Sequence, residues 1–484
     1  MMRRTMRKDK SDPDSNKGIL FFTYLMVGAF VCMIGYFGYF LQIRGETVIN
    51  NSYNARLDRF SDRIVRGEIL SNDGRVLART EAGEDGREQR IYPYGSLFAH
   101  AVGYWDHGKT GLEALANFYL LTSHINLAER TINELSGVKN IGDNVITTLD
   151  VDLQKIAWDA LGEQRGAVVV MEPDTGKLLA MVSKPDFDPN TLGADWDRLI
   201  SGDNKDAQLL NRASQGVYPP GSTFKILTML EYIREHPDTW QDFTFDCDGI
   251  YEWGDYTISC YHGNAHGHQS LNQAFANSCN GAFAALGMEM DPGGFHSLAE
   301  QLLFNRELPL SLAYSKSSFT MNTGAGSWEI LQTSIGQGNT QMTPMHNAMI
   351  TAAIANGGIL MKPYMVERVE SAAGEEIRRF LPENWGNLLT VQEADIMAGL
   401  MRQVVTEGTG SALRTDGYSV AGKTGSAEFE AGRETHAWFT GFAPAEAPQL
   451  VVTVVVEEAG SGGQVAAPVA KRIFDEYFSR GGEG

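Results

Sequence analysis

From residue 18 to residue 43 the chain carries no charged side chain, and this run constrains everything that follows it. At ~1.5 Å of helical rise per residue it outlasts a hydrocarbon layer of about 30 Å, which predicts a membrane-spanning helix. Tyr36, Phe37, Tyr39 and Phe40 crowd its C-terminal end, where amphipathic rings favour the membrane–water interface. A cleaved signal peptide has an apolar core of only about 7–15 residues, followed by a small-residue cleavage site. This run is longer, and no A-x-A pattern lies between Tyr39 and Asn54, so it reads as an uncleaved anchor.

Charge orients the anchor. Residues 1–17 hold Arg3, Arg4, Arg7, Lys8, Lys10 and Lys17 against Asp9, Asp12 and Asp14, a net +3 in a chain whose total is −20, which leaves −23 beyond the tail. The positive-inside bias therefore predicts a single-pass protein of the cell membrane, with a cytoplasmic N-terminus and the bulk of the chain extracytoplasmic. So acidic a chain repels phosphate backbones, which excludes nucleic-acid binding as its main business. Four cysteines exclude a disulfide-built miniprotein, and 43% hydrophobic residues exclude wholesale disorder.

The remainder divides into a polar stretch over residues 44–143 and a larger unit over 144–484, with a soft boundary near residues 141–144. In the first, short strands over 67–70 and 75–78 flank an Asp73-Gly74 turn, and residues 112–121 read as a helix. In the second, residues 149–161 have helical spacing, and β-rich runs over 167–171 and 178–183 are joined by a turn signal. Three further strands, at 418–421, 437–442 and 450–457, precede a closing helix over 465–478. Two strands, a long helical middle, three strands and a helix predict an α+β fold with one antiparallel five-stranded sheet flanked by helices.

Tyr218-Pro-Pro-Gly-Ser-Thr-Phe-Lys225 runs into an apolar helical stretch, so Ser222 stands at a helix N-terminus with Lys225 one turn on, on the same face. A serine hydroxyl becomes a competent nucleophile when a base within reach takes its proton, and a desolvated lysine with a lowered pKa supplies one. The helix terminus adds N–H donors that favour developing negative charge. Ser278-Cys-Asn280 and Lys423-Thr-Gly-Ser426 follow in order. Each short pattern recurs by chance, at Ser136 with Lys139, at Ser52 with Asn54 and at Lys109-Thr-Gly111, but Ser136 has no apolar helix behind it as Ser222 has, and Lys109 precedes a helix where Lys423 lies on a candidate strand.

With these motifs the chain resembles the class B penicillin-binding proteins, the monofunctional D,D-transpeptidases of peptidoglycan. The resemblance extends through Arg66-Gly-Glu-Ile69, Gly111-Leu-Glu113, residues 150–154, Asp186-Phe-Asp-Pro-Asn190, Ile335-Gly-Gln-Gly338, Thr343-Pro344 and Trp438-Phe-Thr-Gly441. Residues 46–142 leave no room for a glycosyltransferase domain, unlike the bifunctional class A. The resemblance implies a penicillin-binding/β-lactamase-like transpeptidase fold over 144–484 and a pedestal-like or dimerisation module before it. Its substrates would be D-alanyl-D-alanine stem peptides, and β-lactams would acylate it. Ser222 would attack, Lys225 would accept the proton, Ser278 and Lys423 would relay a proton to the leaving D-alanine, and Asn280 would hold the substrate amide. The N–H groups of Ser222 and Ser426 would form the oxyanion hole. Lys423, Thr424 and Ser426, with Gly425 between them, would meet the terminal carboxylate. No cofactor and no metal is implied. The anchor and module would pair with a polymerase of the shape, elongation, division and sporulation (SEDS) family.

Other readings carry less. G-x-x-x-x-G-K-[ST] matches at 103–110 and 417–424, but the first loop is bulky and acidic and the second runs into strand, neither suited to cradle phosphate. Class D β-lactamases and penicillin sensors share Ser-Thr-Phe-Lys, yet their middle motif typically ends in an apolar residue where this chain has Asn280. A D,D-carboxypeptidase differs only in its acceptor, and a silent cell-wall scaffold is disfavoured by the intact Ser222, Lys225, Ser278 and Lys423. Cys247 and Cys260 are candidates for a disulfide. His262, His266 and His268 near Cys260 match no standard zinc spacing and read as a polar loop, Cys279 reads as a packing residue, and Glu457-Glu458 reads as solvated surface.

Overall fold

The computed structural model describes residues 15–43, 63–83, 87–430 and 432–480. Most of the basic tail, residues 1–14, and Ser52 with Asn54 lie outside them. The apolar run forms a helix over Ser15–Ile43, and its stretch Lys17–Phe40, at mean hydropathy 2.1, is unburied among the described residues. A free helix whose large side chains stand open suits lipid rather than a protein core.

The centre of the molecule is a five-stranded antiparallel sheet. Its order is Ala421–Ala427, His436–Ala443, Leu450–Val456, Gly166–Met171, Leu178–Lys184. The Val-rich strands are buried along their whole length, as strands covered on both faces must be. Side-chain alternation distributes them between two cores. Ala167, Val169 and Met171 join the large core, while Val168 and Val170 join a second one formed with the C-terminal helix. That helix, Ala466–Arg480, packs with Val151–Leu161 over the second core. Arg480 locks the pair by reaching Asp150, the N-cap of the latter helix, at 2.9 Å. The helices Lys225–Glu235, Pro344–Ala355 and Val391–Thr406 fill the other side.

Two elements and one residue's surroundings differ from the sequence reading. The strand expected at 418–421 begins at Ala421 and runs through the Lys-Thr-Gly-Ser motif, because pairing with His436–Ala443 outweighs the weak β propensity of those residues. Tyr418 instead packs on Phe478, ring centroids 4.6 Å apart. The helix expected over 112–121 breaks at Ala116 into Gly111–Leu115 and Asn117–Leu120. Glu457 is not solvated surface: it accepts from Arg212, Tyr218 and Arg165 at 2.8, 2.8 and 3.0 Å.

A six-stranded sheet underlies the N-terminal region, ordered Glu376–Arg379, Val366–Glu370, Asn144–Thr147, Ile69–Leu70, Val76–Ala82, Glu88–Ile91. Two of its strands come from far downstream, so this region is closed by the chain that follows it. Its centre is ionic. Glu113, fully buried, accepts from Arg66 at 2.6 Å and from Arg90 at 2.7 Å. Burial pushes the Glu113 carboxyl up, but the two guanidinium groups more than offset this and hold it below its ordinary value. Glu113→Ala strands two buried cations and is expected to cost ~3–5 kcal/mol, read as a lower denaturant midpoint for the detergent-solubilised chain. An unchanged midpoint contradicts this account of the region.

Candidate active site

Ser222 lies in a 3₁₀ turn, Gly221–Phe224, that continues into the Lys225–Glu235 helix. The segment before it is held residue by residue. Tyr218 exchanges backbone hydrogen bonds with Met342 at 3.0 and 2.8 Å, the Trp438 indole donates to the Pro219 carbonyl at 3.1 Å, and the Gly221 N–H donates to the Gly336 carbonyl at 2.9 Å. The Tyr218 hydroxyl, bonded to Glu457, ties the turn to the sheet. Ser222 thereby stands half-buried at the edge of a cavity of about 900 Å³, which Ser278, Asn280, Thr424, Gly425 and Ser426 also line.

Lys225 and Lys423 come from opposite sides and meet at Ser278. Both are fully buried. Lys225 Nζ donates to the Ser278 carbonyl and to Asn280 Oδ1, each at 2.7 Å, and stands 3.4 Å from Ser278 Oγ. Lys423 Nζ donates to Ser278 Oγ at 2.9 Å and to the Thr424 carbonyl at 3.0 Å. Burial lowers the Lys225 amine to about 8. Burial, and then the charge of Lys225, push Lys423 well below the ordinary lysine value. Two ammonium ions so close in a low-dielectric site repel one another, so the pair favours a neutral member. A neutral Lys225 that spends both N–H groups on its two 2.7 Å acceptors keeps one lone pair for an incoming proton.

Ser278 adopts φ +59°, a left-handed conformation that is uncommon for a residue with a Cβ. The neighbouring backbone holds it there: its N–H donates to Phe275 and that of Cys279 to Ala274, at 3.1 and 2.9 Å. Strain of this kind collects at functional sites. Cys279 is the N-cap of the Asn280–Glu289 helix, which fixes Asn280 at the helix start.

The Ala421–Ala427 strand is the edge of the sheet nearest the Ser222 turn. Gly425 explains the contact: a Cβ there would stand 3.1 Å from the Trp438 Cβ and 3.2 Å from Thr223 N. The edge strand approaches the turn closely and brings its backbone to the cavity wall. Thr424 and Ser426 line the cavity while Lys423 reaches under it, the alternation of a strand.

Sequence reading missed one contributor, Thr409, and singled out the Ile335-Gly-Gln-Gly338 run without placing Gly336 at the site. Thr409 lines the cavity and bonds the Thr424 hydroxyl at 2.6 Å; as a lone threonine after a helix it carries no pattern. Gly336 supplies the acceptor for Gly221. At φ +79°, a Cβ on Gly336 would stand 1.9 Å from the Gly221 oxygen, so its role is close backbone approach. Ser136, Lys139 and the 109–111 triplet do not line the cavity.

The described residues match known proteins along most of their length. The penicillin-binding protein transpeptidase domain model matches residues 166–475, and the penicillin-binding protein A dimerisation domain model matches residues 66–145. The chain is 34% identical to the peptidoglycan D,D-transpeptidase PbpA of Mycolicibacterium smegmatis over 88% of its own length and 91% of that protein. It is 30% identical to the peptidoglycan D,D-transpeptidase MrdA of Acinetobacter baumannii, over 80% and 66%. Among solved structures, penicillin-binding protein A of M. tuberculosis as a ceftriaxone acyl-enzyme superposes at TM-score 0.79 and 31% identity, over 87% of this chain and 99% of that one. A D,D-transpeptidase domain from Eggerthella lenta superposes at 0.78 and 33%, over 87% and 100%.

Gly336→Ala is expected to lose the ~1–3 kcal/mol of a side chain forced into the left-handed region and, in addition, to displace Gly221. Gly338→Ala, at φ +72° but meeting only the Gln332 Cβ at 3.3 Å, loses the backbone part alone. Equal shifts of the denaturant midpoint contradict the proposed contact.

Proposed function

We propose that in this chain, which belongs to the penicillin-binding protein transpeptidases and is a peptidoglycan D,D-transpeptidase acylated by β-lactams, Ser222 is the nucleophile and Lys225 its base. The observation that carries this is the position of Lys225, fully buried one turn after Ser222, with its two short donations directed at Ser278 and Asn280.

Ser222 Oγ attacks the carbonyl carbon between the two D-alanines as its proton passes to Lys225. The developing oxyanion is met by the N–H of Ser222, at the start of the helical turn, and by the N–H of Ser426 on the edge strand. Collapse breaks the peptide bond, and the departing D-alanine amine takes a proton through the Ser278 hydroxyl, which Lys423 orients by its 2.9 Å donation. The acyl group remains on Ser222 until the amine of a neighbouring stem peptide attacks, forms the cross-link and gives its proton back through the same groups. Asn280 holds the substrate amide. Lys423, sealed beneath the strand, works through Ser278, so the terminal carboxylate falls to the hydroxyls of Thr424 and Ser426, with Thr409 positioning the former. Geometry of this kind places reacting groups before the reaction, where misplacement by ~1 Å costs on the order of 10²-fold.

Because the base is the neutral amine, acylation rises with pH through the Lys225 pKa of about 8. Labelled penicillin is expected to mark the detergent-purified chain with that pH profile, and Ser222→Ala, with its fold verified by circular dichroism, is expected to take no label. Labelling of the variant, or a rate that falls as pH rises through about 8, removes this assignment.

The apolar helix supports a membrane anchor. The basic tail supports a cytoplasmic N-terminus with the enzyme outside, the side on which peptidoglycan lies. The span and the 66–145 region are the surfaces on which a SEDS-family polymerase would dock. Protease added to spheroplasts with a sealed cytoplasmic membrane is expected to remove the catalytic region and spare a tag before residue 18. Replacing residues 18–43 by an unrelated span is expected to abolish polymerase co-purification. A protected catalytic region overturns the orientation, and undiminished co-purification overturns the role of the span.

A further inference from the structure

Residues 244–270 form one wall of the cavity and have little to hold them. They build two two-stranded sheets, Ile250–Trp253 with Tyr256–Ser259 and Thr244–Cys247 with Gly267–Ser270. Most of their side chains are exposed. An isolated two-stranded hairpin is marginal in water, and the apolar cluster beneath these residues is small, consisting of Cys247, Cys260, Cys279, Ala274 and Ala282 with two phenylalanines at its edge. Such a segment needs a staple.

Four donor atoms converge there. Cys247 Sγ lies 3.7 Å from Cys260 Sγ and 3.3 Å from His266 Nδ1, and Cys260 Sγ lies 3.8 Å from Cys279 Sγ. All four atoms fall within 4.8 Å of one another. A tetrahedral zinc with Zn–S bonds of about 2.3 Å separates its sulfurs by about 3.8 Å. The three thiols are buried and joined in no disulfide. The Ala282 N–H donates to Cys279 Sγ at 3.4 Å, as it would to a thiolate. Of the three histidines only His266 is drawn inward. His262 is exposed, and His268 pairs with Asp246 at 2.8 Å on the open face.

We propose that Cys247, Cys260, His266 and Cys279 bind one zinc ion as a structural Cys₃His site that fastens the 244–270 wall to the Ser278-Cys279-Asn280 motif. Thiolate and imidazole donors are those that soft-to-borderline divalent ions select, and four protein ligands leave no position for a water, so the site is structural. Binding releases the thiol protons, and three thiolates with a neutral imidazole around Zn²⁺ leave a net −1. The four ligands are 13, 6 and 13 residues apart along the chain, wider than the usual close pairs of a zinc motif, so the site is assembled only by folding. Because Cys279 stands between two residues of the active site, the ion would hold Ser278 in its left-handed conformation from below.

The full-length chain, purified in detergent without chelator and measured by inductively coupled plasma mass spectrometry, is expected to carry about one zinc per molecule. Stripped under reducing conditions and given Co²⁺ alone, it is expected to show intense tetrahedral d–d bands and sulfur-to-cobalt charge transfer. His266→Ala is expected to weaken metal binding by more than the ~10–100-fold typical of losing a residue that merely supports a ligand. The wild-type metal content and cobalt spectrum decide the matter should that variant not fold. A metal-free protein that gives only a weak octahedral cobalt spectrum overturns the proposal. So does a Cys247–Cys260 disulfide in unreduced peptides, or a full metal load retained by a folded His266→Ala.

Discussion

Two buried lysine amines share one serine, and the rest of the structure keeps that arrangement in place. Lys225 arrives on a helix, Lys423 on the edge of a sheet, and Ser278 on the strained turn between two helices. Removing two ammonium groups from water is costly unless hydrogen bonds replace the solvent and at least one group sheds its charge. Their acceptors, the carbonyls of Ser278 and Thr424 and Oδ1 of Asn280, meet the first need. Burial meets the second, lowering Lys225 to about 8 and, together with the charge of Lys225, pushing Lys423 well below the ordinary lysine value.

Such a site demands rigid supports, and the fold provides them on each side. The five-stranded sheet, sandwiched between two cores, fixes Lys423. The Ser222 turn is pinned to that sheet through Trp438 and Glu457 and to the 335–338 loop through Gly336. Glycine serves twice by absence, at Gly425 and Gly336, where any side chain would separate backbones that must touch. The third side, the 244–270 wall, is the thinly packed one, and there the cysteines and His266 gather.

Much of this was legible in the sequence. Ser222, Lys225, Ser278, Asn280 and the 423–426 motif stand in patterns whose order and flanking periodicity reflect local chemistry, and the structure brings all of them to one place, Lys225 and Lys423 buried against Ser278 and the others on the cavity wall. The central strands were readable because burial on both faces leaves continuous Val-rich runs. What escaped depends on contacts distant in sequence. The Lys-Thr-Gly-Ser segment is strand because of its partner and not its own propensity. Glu457 looks like surface until Arg212 and Tyr218 fold onto it. Thr409 has no local signature, and four donors spread from residue 247 to residue 279 form a cluster only when a hairpin, a loop and a helix cap converge.

The central claim is that Ser222 takes the acyl group while Lys225 and Lys423 keep separate posts around Ser278. A crystal structure of this chain after reaction with penicillin tests it most directly. The account predicts continuous density from Ser222 Oγ to the opened lactam carbonyl, its oxygen between the N–H groups of Ser222 and Ser426, and Lys423 still on Ser278 Oγ. Acyl density on any other side chain, or a Lys423 swung out to the ligand carboxylate, would contradict it.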